Sequence, residues 1–341
     1  MTRLLQAMAG ARHGGAEAFF TRLAIGLGQA GQDQKLVIRR DADRAAALRQ
    51  AGLDVTELRF GARFDFLTRR AFAKAIRTYR PQVVLTWMSR ATSLCPAGDF
   101  VHVARLGGYY DLKYYRRCDH LVGNTQDIVD YLIREGWPRD RAHYLPNFVK
   151  IVPAAPLDRE ELGASVNAPL ALALGRLHPN KGFDTLLAAV AQVPDLRLWL
   201  AGEGDLRPDL ERQARDLGIA SRVRFLGWRE DVSDLMATAD MVVVPSRHEP
   251  LGNVVIEAWA AKAPVIATNS AGPAALIEAG ETGILVPVDD APALAAALRE
   301  LAGNWGLRRS FAIKGFMAYQ ARFEESRVVA TYREFIDRIA R

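Results

Sequence analysis

The chain has 341 residues, half of them hydrophobic and a quarter charged, with a net charge of +6 and two cysteines. That length calls for two domains, and the composition is that of a globular protein rather than a disordered one. A disulfide framework is excluded, and no run has the length and apolarity of a membrane span.

The charge is unevenly placed. Residues 1–165 hold 25 basic against 17 acidic residues, and the remainder 20 against 22. Residues 59–80 concentrate the surplus: seven basic residues and Asp65 are interleaved with Phe60, Phe64, Phe66, Phe72 and Tyr79. A basic, aromatic, partly helical stretch fits an anionic membrane surface, an acidic ligand or a nucleic acid; a solvated helix face with core aromatics is the plainer reading.

In chain order, short apolar runs alternate with helical ones, the pattern of parallel sheets with crossover helices. Residues 1–15 feed directly into a short strand and lack the apolar core of a signal peptide, so a cytoplasmic location is expected. Strands are expected at 3–7, 35–39, 54–58, 82–87, 100–105 and 120–123, with helices at 16–27 and 42–51. The basic helix follows the third strand, and Thr125 caps a helix to about Glu135. Residues 150–169 contain Pro153, Pro156 and Pro169 with little periodicity, which reads as a linker. A second series has strands at 170–174, 196–201, 222–226, 241–244, 264–268 and 283–286. Its helices fall at 181–192, 205–217, 232–237, 291–302 and after Arg308, and an amphipathic helix closes the chain at 324–339. The expected organisation is α/β with two doubly wound Rossmann-like domains facing across a cleft. The first spans 1–150, a linker 151–168 and the second 169–320; residues 321–341 form a helix that returns to the first domain.

Four stretches carry chemistry. After the strand at 241–244 comes RHEPLGNVVIEAWAAK, with Glu249 on the loop, Leu251, Gly252 and Asn253 opening a helix, and Glu257 one turn inside it. Such a helix start offers unpaired N–H groups and a positive dipole end to phosphate. Residues 175–182, GRLHPNKG, leave the first strand of the same domain and bring Arg176 and Lys181 beside a backbone nest, which suits a diphosphate. His13, Gly14, Gly15, Ala16 and Glu17 join the first strand to the first helix, where backbone N–H groups can face an anion. Gly202 and Glu203 end a strand on the same edge, and Trp228 offers its ring to a base or belongs to the core. Gly26 to Gly31 matches G-x-G-x-x-G but ends a helix instead of opening one, so it reads as helix termination. Asp41 and Asp43 resemble a D-x-D metal motif but read as the start of a surface helix.

Together, the Glu249–Glu257 spacing, Arg176 with Lys181, the Gly-Gly-Ala-Glu loop and Ala201-Gly-Glu-Gly resemble the retaining nucleotide-sugar glycosyltransferases of family four, which have the GT-B fold. NSAGPAALI from Asn269 and the strand after Thr282 match the tail of that domain. The resemblance implies that Glu249 binds donor-sugar hydroxyls, that Leu251, Gly252, Asn253 and Val254 offer backbone contacts to sugar and phosphate, and that Glu257 holds the ribose. It implies that Arg176 and Lys181 neutralise the diphosphate, which Gly15 contacts from the other domain. Many members carry a His or Asp at the end of a first-domain strand, near the reacting carbon. Here His102 comes early, with its side chain toward the core, so Arg105 and then His13 are the candidates for the reacting face.

The implied reaction is metal-independent hexosyl transfer with retention, from a UDP-sugar by preference, to a lipopolysaccharide core or other envelope glycan. No cofactor is expected. The acceptor would be lipid-linked or phosphorylated and met at the cytoplasmic face of the inner membrane, with no nucleic-acid partner. A sugar-nucleotide epimerase and a non-catalytic sugar- or nucleic-acid-binding protein are the rival readings.

Overall fold

The structure, a computed structural model, describes residues 2–12, 14–61, 65–149 and 154–340. It divides into two compact units. The first runs to Phe148 and takes back the chain from Glu325; the second is Val149–Glu324.

The first unit is built from β1 (Leu4–Met8), α1 (Gly15–Gln29), β2 (Gln34–Arg39), α2 (Ala42–Gln50), β3 (Asp54–Leu58) and α3 (Phe66–Tyr79). It continues through β4 (Val83–Trp87), α4 (Met88–Leu94), β5 (Val101–Leu106), β6 (His120–Gly123), α5 (Gln126–Arg134) and β7 (Ala142–Tyr144). Its seven parallel strands lie in the order β3-β2-β1-β4-β5-β6-β7. β1 and β4 are buried at every position, as strands covered by helices on both faces must be. Helix starts follow local capping: Asp41, Asp65 and Thr125 accept the N–H of Arg44, Thr68 and Ile128.

The second unit holds β8 (Leu170–Leu174), α6 (Phe183–Ala191), β9 (Arg197–Ala201), α7 (Arg207–Asp216), β10 (Val223–Gly227) and α8 (Val232–Thr238). Then come β11 (Met241–Val244), α9 (Asn253–Ala260), β12 (Val265–Thr268), α10 (Ala271–Leu276), β13 (Ile284–Val286), α11 (Ala291–Gly303) and α12 (Trp305–Arg322). Six parallel strands run β10-β9-β8-β11-β12-β13. The last helix, α13 (Glu325–Ile339), packs on α1. Its Val328, Val329, Tyr332, Phe335 and Ile336 share one core with Phe19, Phe20 and Leu23. Gly26 permits that approach, because a Cβ there would lie 2.9 Å from Val329 Cγ2. The G-x-G-x-x-G run is thus helix surface and helix end.

The sequence reading missed three elements, one of them the short helix α10, whose stretch was read only as a motif. α4 follows β4 with no intervening polar break, and β7 is a three-residue, half-buried edge strand. Residues 154–168, read as linker, are held against the second unit. Arg159 grips Asp240 at 3.1 and 3.2 Å and the Thr238 carbonyl at 2.6 Å, while Leu157 N–H donates to Thr238 Oγ1 at 2.8 Å. Asp41 and Asp43 do begin a helix; they pair with Arg44 and Arg12.

Two histidines make folding pH-sensitive. His102 is buried, its Nε2 3.1 Å from Thr86 Oγ1, and burial pushes its pKa down to about 4. Half-buried His143 has its Nε2 3.0 Å from His120 Nδ1 and packs on Phe335; burial first, then His120, lowers its pKa to about 4. Both are lower folded than unfolded, so the unfolded chain takes up protons first. Their contribution is complete above about pH 6.5 and is lost as pH falls toward 4. Urea midpoints should drop across that window, and His143→Gln should flatten the drop; a flat profile in the parent protein would contradict this.

Candidate active site

In doubly wound sheets, ligands bind beyond the carboxyl ends of the strands, where the strand order reverses. In the second unit that point lies between β8 and β11, which pair directly. The loops leaving these strands are residues 175–182 and 245–252, the two stretches singled out by their chemistry.

Backbone contacts lock the loops together. The N–H groups of Arg247 and His248 donate to the Asn180 carbonyl at 2.8 and 3.2 Å. Gly182 has φ 63°, and a Cβ there would lie 2.1 Å from the Pro245 oxygen, so only glycine allows the approach. Arg247 completes the joint. Its guanidinium forks onto Asp184 at 2.8 and 2.7 Å and reaches Asp289 at 2.7 Å. That hydrogen-bonded arginine holds the Asp184 carboxyl below the usual carboxylate range. Sequence reasoning did not assign Arg247 this role; the available signal was an acid two positions past the Gly182 helix start.

The joint brings Lys181 and Glu249 into an ion pair, with side chains 24% and 12% exposed. Glu249 Oε1 also accepts the Gly252 N–H at 3.4 Å, and Ser246 Oγ donates to Oε2 at 3.5 Å. The Glu249 carbonyl accepts the Gly272 N–H at 2.7 Å, which fixes the loop from behind. α9 begins after Gly252, at φ 70°, and α6 after Gly182; neither start has a side-chain cap. Other helices also lack a cap. Among the described residues, however, only these two combine a missing cap with a left-handed residue at that position. Their first N–H groups and positive dipole ends therefore stand at the loops that hold Lys181 and Glu249.

The other expected residues divide. Leu251 and Val254 are half-buried at the α9 start, and Glu257 lies one turn in. Asn253 is half-buried, with an Oδ1 that has no hydrogen-bond partner among the described residues. Arg176 is exposed and forms no hydrogen bond or ion pair among the described residues. The Gly202 N–H donates to the Gly227 carbonyl at the end of β10 at 2.8 Å, and the Glu203 carbonyl accepts the Leu177 N–H at 2.9 Å, so the loop after β9 is tied to β10 on one side and to the loop after β8 on the other. The Glu203 carboxylate points elsewhere, to Arg207 at 2.8 Å. Trp228 is 77% exposed, so it is not a core residue.

In the first unit, Gly15 opens α1, and a Cβ there would meet nothing within 4 Å. Glu17 is the residue that shapes this loop: it is buried and accepts the Ala11 N–H at 2.7 Å. His13 lies outside the described residues. Arg105 is corrected. It is 4% exposed, hydrogen-bonds Tyr332 at 3.2 Å and Asn147, and stacks on Phe19 and Trp87. Its charge is spent anchoring α13, so it does not present a reacting face. His102 faces the core, as expected.

The profile for glycosyltransferase family 4 matches residues 13–151, and that for glycosyl transferases group 1 matches residues 168–304. The lipopolysaccharide core biosynthesis glycosyltransferase LpsE of Rhizobium meliloti is 34% identical over 337 residues, covering 95% of this chain and 96% of that protein. This chain belongs to the glycosyltransferases. LpsD of the same organism, also described as a lipopolysaccharide core biosynthesis glycosyltransferase, is 32% identical, covering 95% of both chains. Anabaena HepE, solved with UDP and glucose, has the same fold, with a TM-score of 0.82 at 22% identity over 99% of this chain and 100% of that one. The glycosyltransferase thus has the two Rossmann-like sheets of the GT-B class.

Gly182→Ala should force the two loops of this glycosyltransferase apart. A loss of about 2 kcal/mol or more is expected from strain and clash together, read as a lower urea midpoint at constant slope. An unshifted midpoint would mean that the loops are not held by this approach.

Proposed function

We propose that this glycosyltransferase moves a hexose, with retention and without a metal, from a nucleotide-diphosphate sugar to a lipopolysaccharide core or related envelope glycan. One observation carries the donor side: the Lys181–Glu249 pair sits at the switch point beside two uncapped helix starts. A cation and helix N-termini suit a diphosphate, and a carboxylate beside them suits sugar hydroxyls. A UDP-sugar is favoured by the likeness to HepE, which was solved with UDP and glucose. The acceptor class is supported by the names of LpsE and LpsD.

In the proposed step, the bond from anomeric carbon to phosphate oxygen breaks and its electron pair goes to the diphosphate. The acceptor oxygen bonds to that carbon from the same face, and its proton passes to the leaving phosphate. Negative charge grows on the diphosphate, where Arg176, Lys181 and the starts of α6 and α9 stabilise it. Retention through a covalent intermediate would need a second carboxylate placed as nucleophile. Glu249 is engaged with Lys181, Ser246 and Gly252, which fits holding the sugar better.

Thermal shifts with UDP-, GDP- and ADP-sugars identify the donor. Arg176→Ala and Lys181→Ala should each lower kcat by roughly a hundredfold or more, as loss of one charge-stabilising donor does. Full turnover in both variants would remove the assignment. Incubation of donor without acceptor distinguishes the epimerase reading, which requires conversion of the nucleotide sugar alone.

Contact with the inner membrane surface is part of the proposal. Phe66 and Leu67, at the start of α3, are each 69% exposed, and Arg69, Arg70, Lys74, Arg77 and Arg80 are exposed along it. Among the described residues no helix is long and apolar enough to cross a membrane. Joint replacement Phe66→Ser and Leu67→Ser should cut co-sedimentation with phosphatidylglycerol vesicles severalfold; equal co-sedimentation would place the contact elsewhere.

A further inference from the structure

We infer that the first unit carries an anion pocket that reads an acidic substituent, phosphate or carboxylate, on the acceptor glycan. This rests on the acceptor class proposed above and names the part of it that the chain recognises.

The pocket is a cavity of about 420 Å³ lined by Arg12, Arg39, Arg40 and Arg44 with Asp41 and Asp43. It lies where β1 and β2 end, on the carboxyl side of the sheet and beside its switch point between β1 and β4. Four guanidinium groups face two carboxylates, and the pairing is specific. Arg12 pairs with Asp43 at 3.0 Å and Arg44 with Asp41 at 3.2 Å. The side chains of Arg39 and Arg40 have no ion pair or hydrogen bond among the described residues. Two positive charges are therefore left over in one cavity.

Arg44 makes this a constructed site instead of a surface cluster. It is only 8% exposed, and its Nη2 donates to the Ala11 and Arg12 carbonyls at 2.9 and 3.0 Å. That ties α2 to the loop between β1 and α1. Its Nη1 is buried with no hydrogen-bond partner among the described residues, an arrangement a folded chain avoids unless something compensates it. Arginine forks match the oxygen spacing of phosphate and carboxylate, so Arg39 and Arg40 suit an oxyanion on a sugar better than a neutral hydroxyl.

The test is calorimetric titration of the full chain with a truncated lipopolysaccharide core oligosaccharide in three forms: native, dephosphorylated and carboxyl-reduced. The joint variant Arg39→Ala, Arg40→Ala should bind the native form about a hundredfold more weakly, about tenfold per arginine for a charged hydrogen bond. Whichever treatment weakens wild-type binding to the same level identifies the substituent, and the variant should be indifferent to that treatment. Equal binding of the native form by both proteins, absence of binding included, overturns the inference. So does a variant that still discriminates as the wild type does. UDP titration of the same two proteins reads the donor site separately: unchanged UDP affinity shows an intact fold, while failure of the wild type to bind any nucleotide would sink the donor reading without touching the pocket.

Discussion

The contact on which the candidate site depends is a peptide oxygen lying against a glycine. Lys181 and Glu249 stand 68 positions apart, yet the pairing of β8 with β11 brings their loops side by side. The last step of the approach is made by Gly182 against Pro245, a distance no side chain would permit. Once the loops touch, Asn180 can accept two N–H groups from the facing loop and Arg247 can reach Asp184. The ion pair is then a consequence of topology. Each partner is taken partly out of water, which is unfavourable for an isolated charge, and each offsets the other. In the proposed reaction a diphosphate and a sugar hydroxyl replace that mutual compensation, so the pair keeps both charged groups in place before the donor arrives.

The position of these loops was readable in advance because the pattern that sets it is local. The apolar runs LLQAM, VVLTW and MVVV are buried throughout, and their alternation with helices leaves few arrangements other than parallel sheets. The acidic and basic residues of the second unit fall on loops directly after strands, where doubly wound sheets place ligands. Arg105 shows where that logic breaks. A cation at the end of a strand reads as a site residue, and nothing nearby in the chain says otherwise. What makes it structural is Tyr332, 227 positions later, which comes into reach when α13 docks on α1. Local pattern also gave no warning that residues 154–168 would be bound down, since the grip comes from Asp240 and Thr238. Arg39 and Arg40 were part of a basic surplus in the sequence; only the pairing of their neighbours shows that these two are the uncompensated ones.

A helix start without a cap, preceded by a left-handed residue, is a weak way to begin a helix, since a good cap contributes about 1 kcal/mol. α2, α3, α5, α11 and α12 avoid that loss with Asp41, Asp65, Thr125, Asp290 and Asn304. α6 and α9 cannot avoid it and still present bare N–H groups. The stability is supplied from behind instead. Gly272 N–H holds the Glu249 carbonyl, Thr268 Oγ1 holds the Ser246 carbonyl at 2.6 Å, and Arg247 bridges Asp184 and Asp289. None of these groups needs to touch a substrate for its loss to matter. Preorganised charge stabilises a transition state only if it does not have to be rearranged when the charge develops. In the proposed reaction, the hydrogen-bonded loops behind Lys181 and Glu249 are therefore as much a requirement of the chemistry as the two side chains themselves.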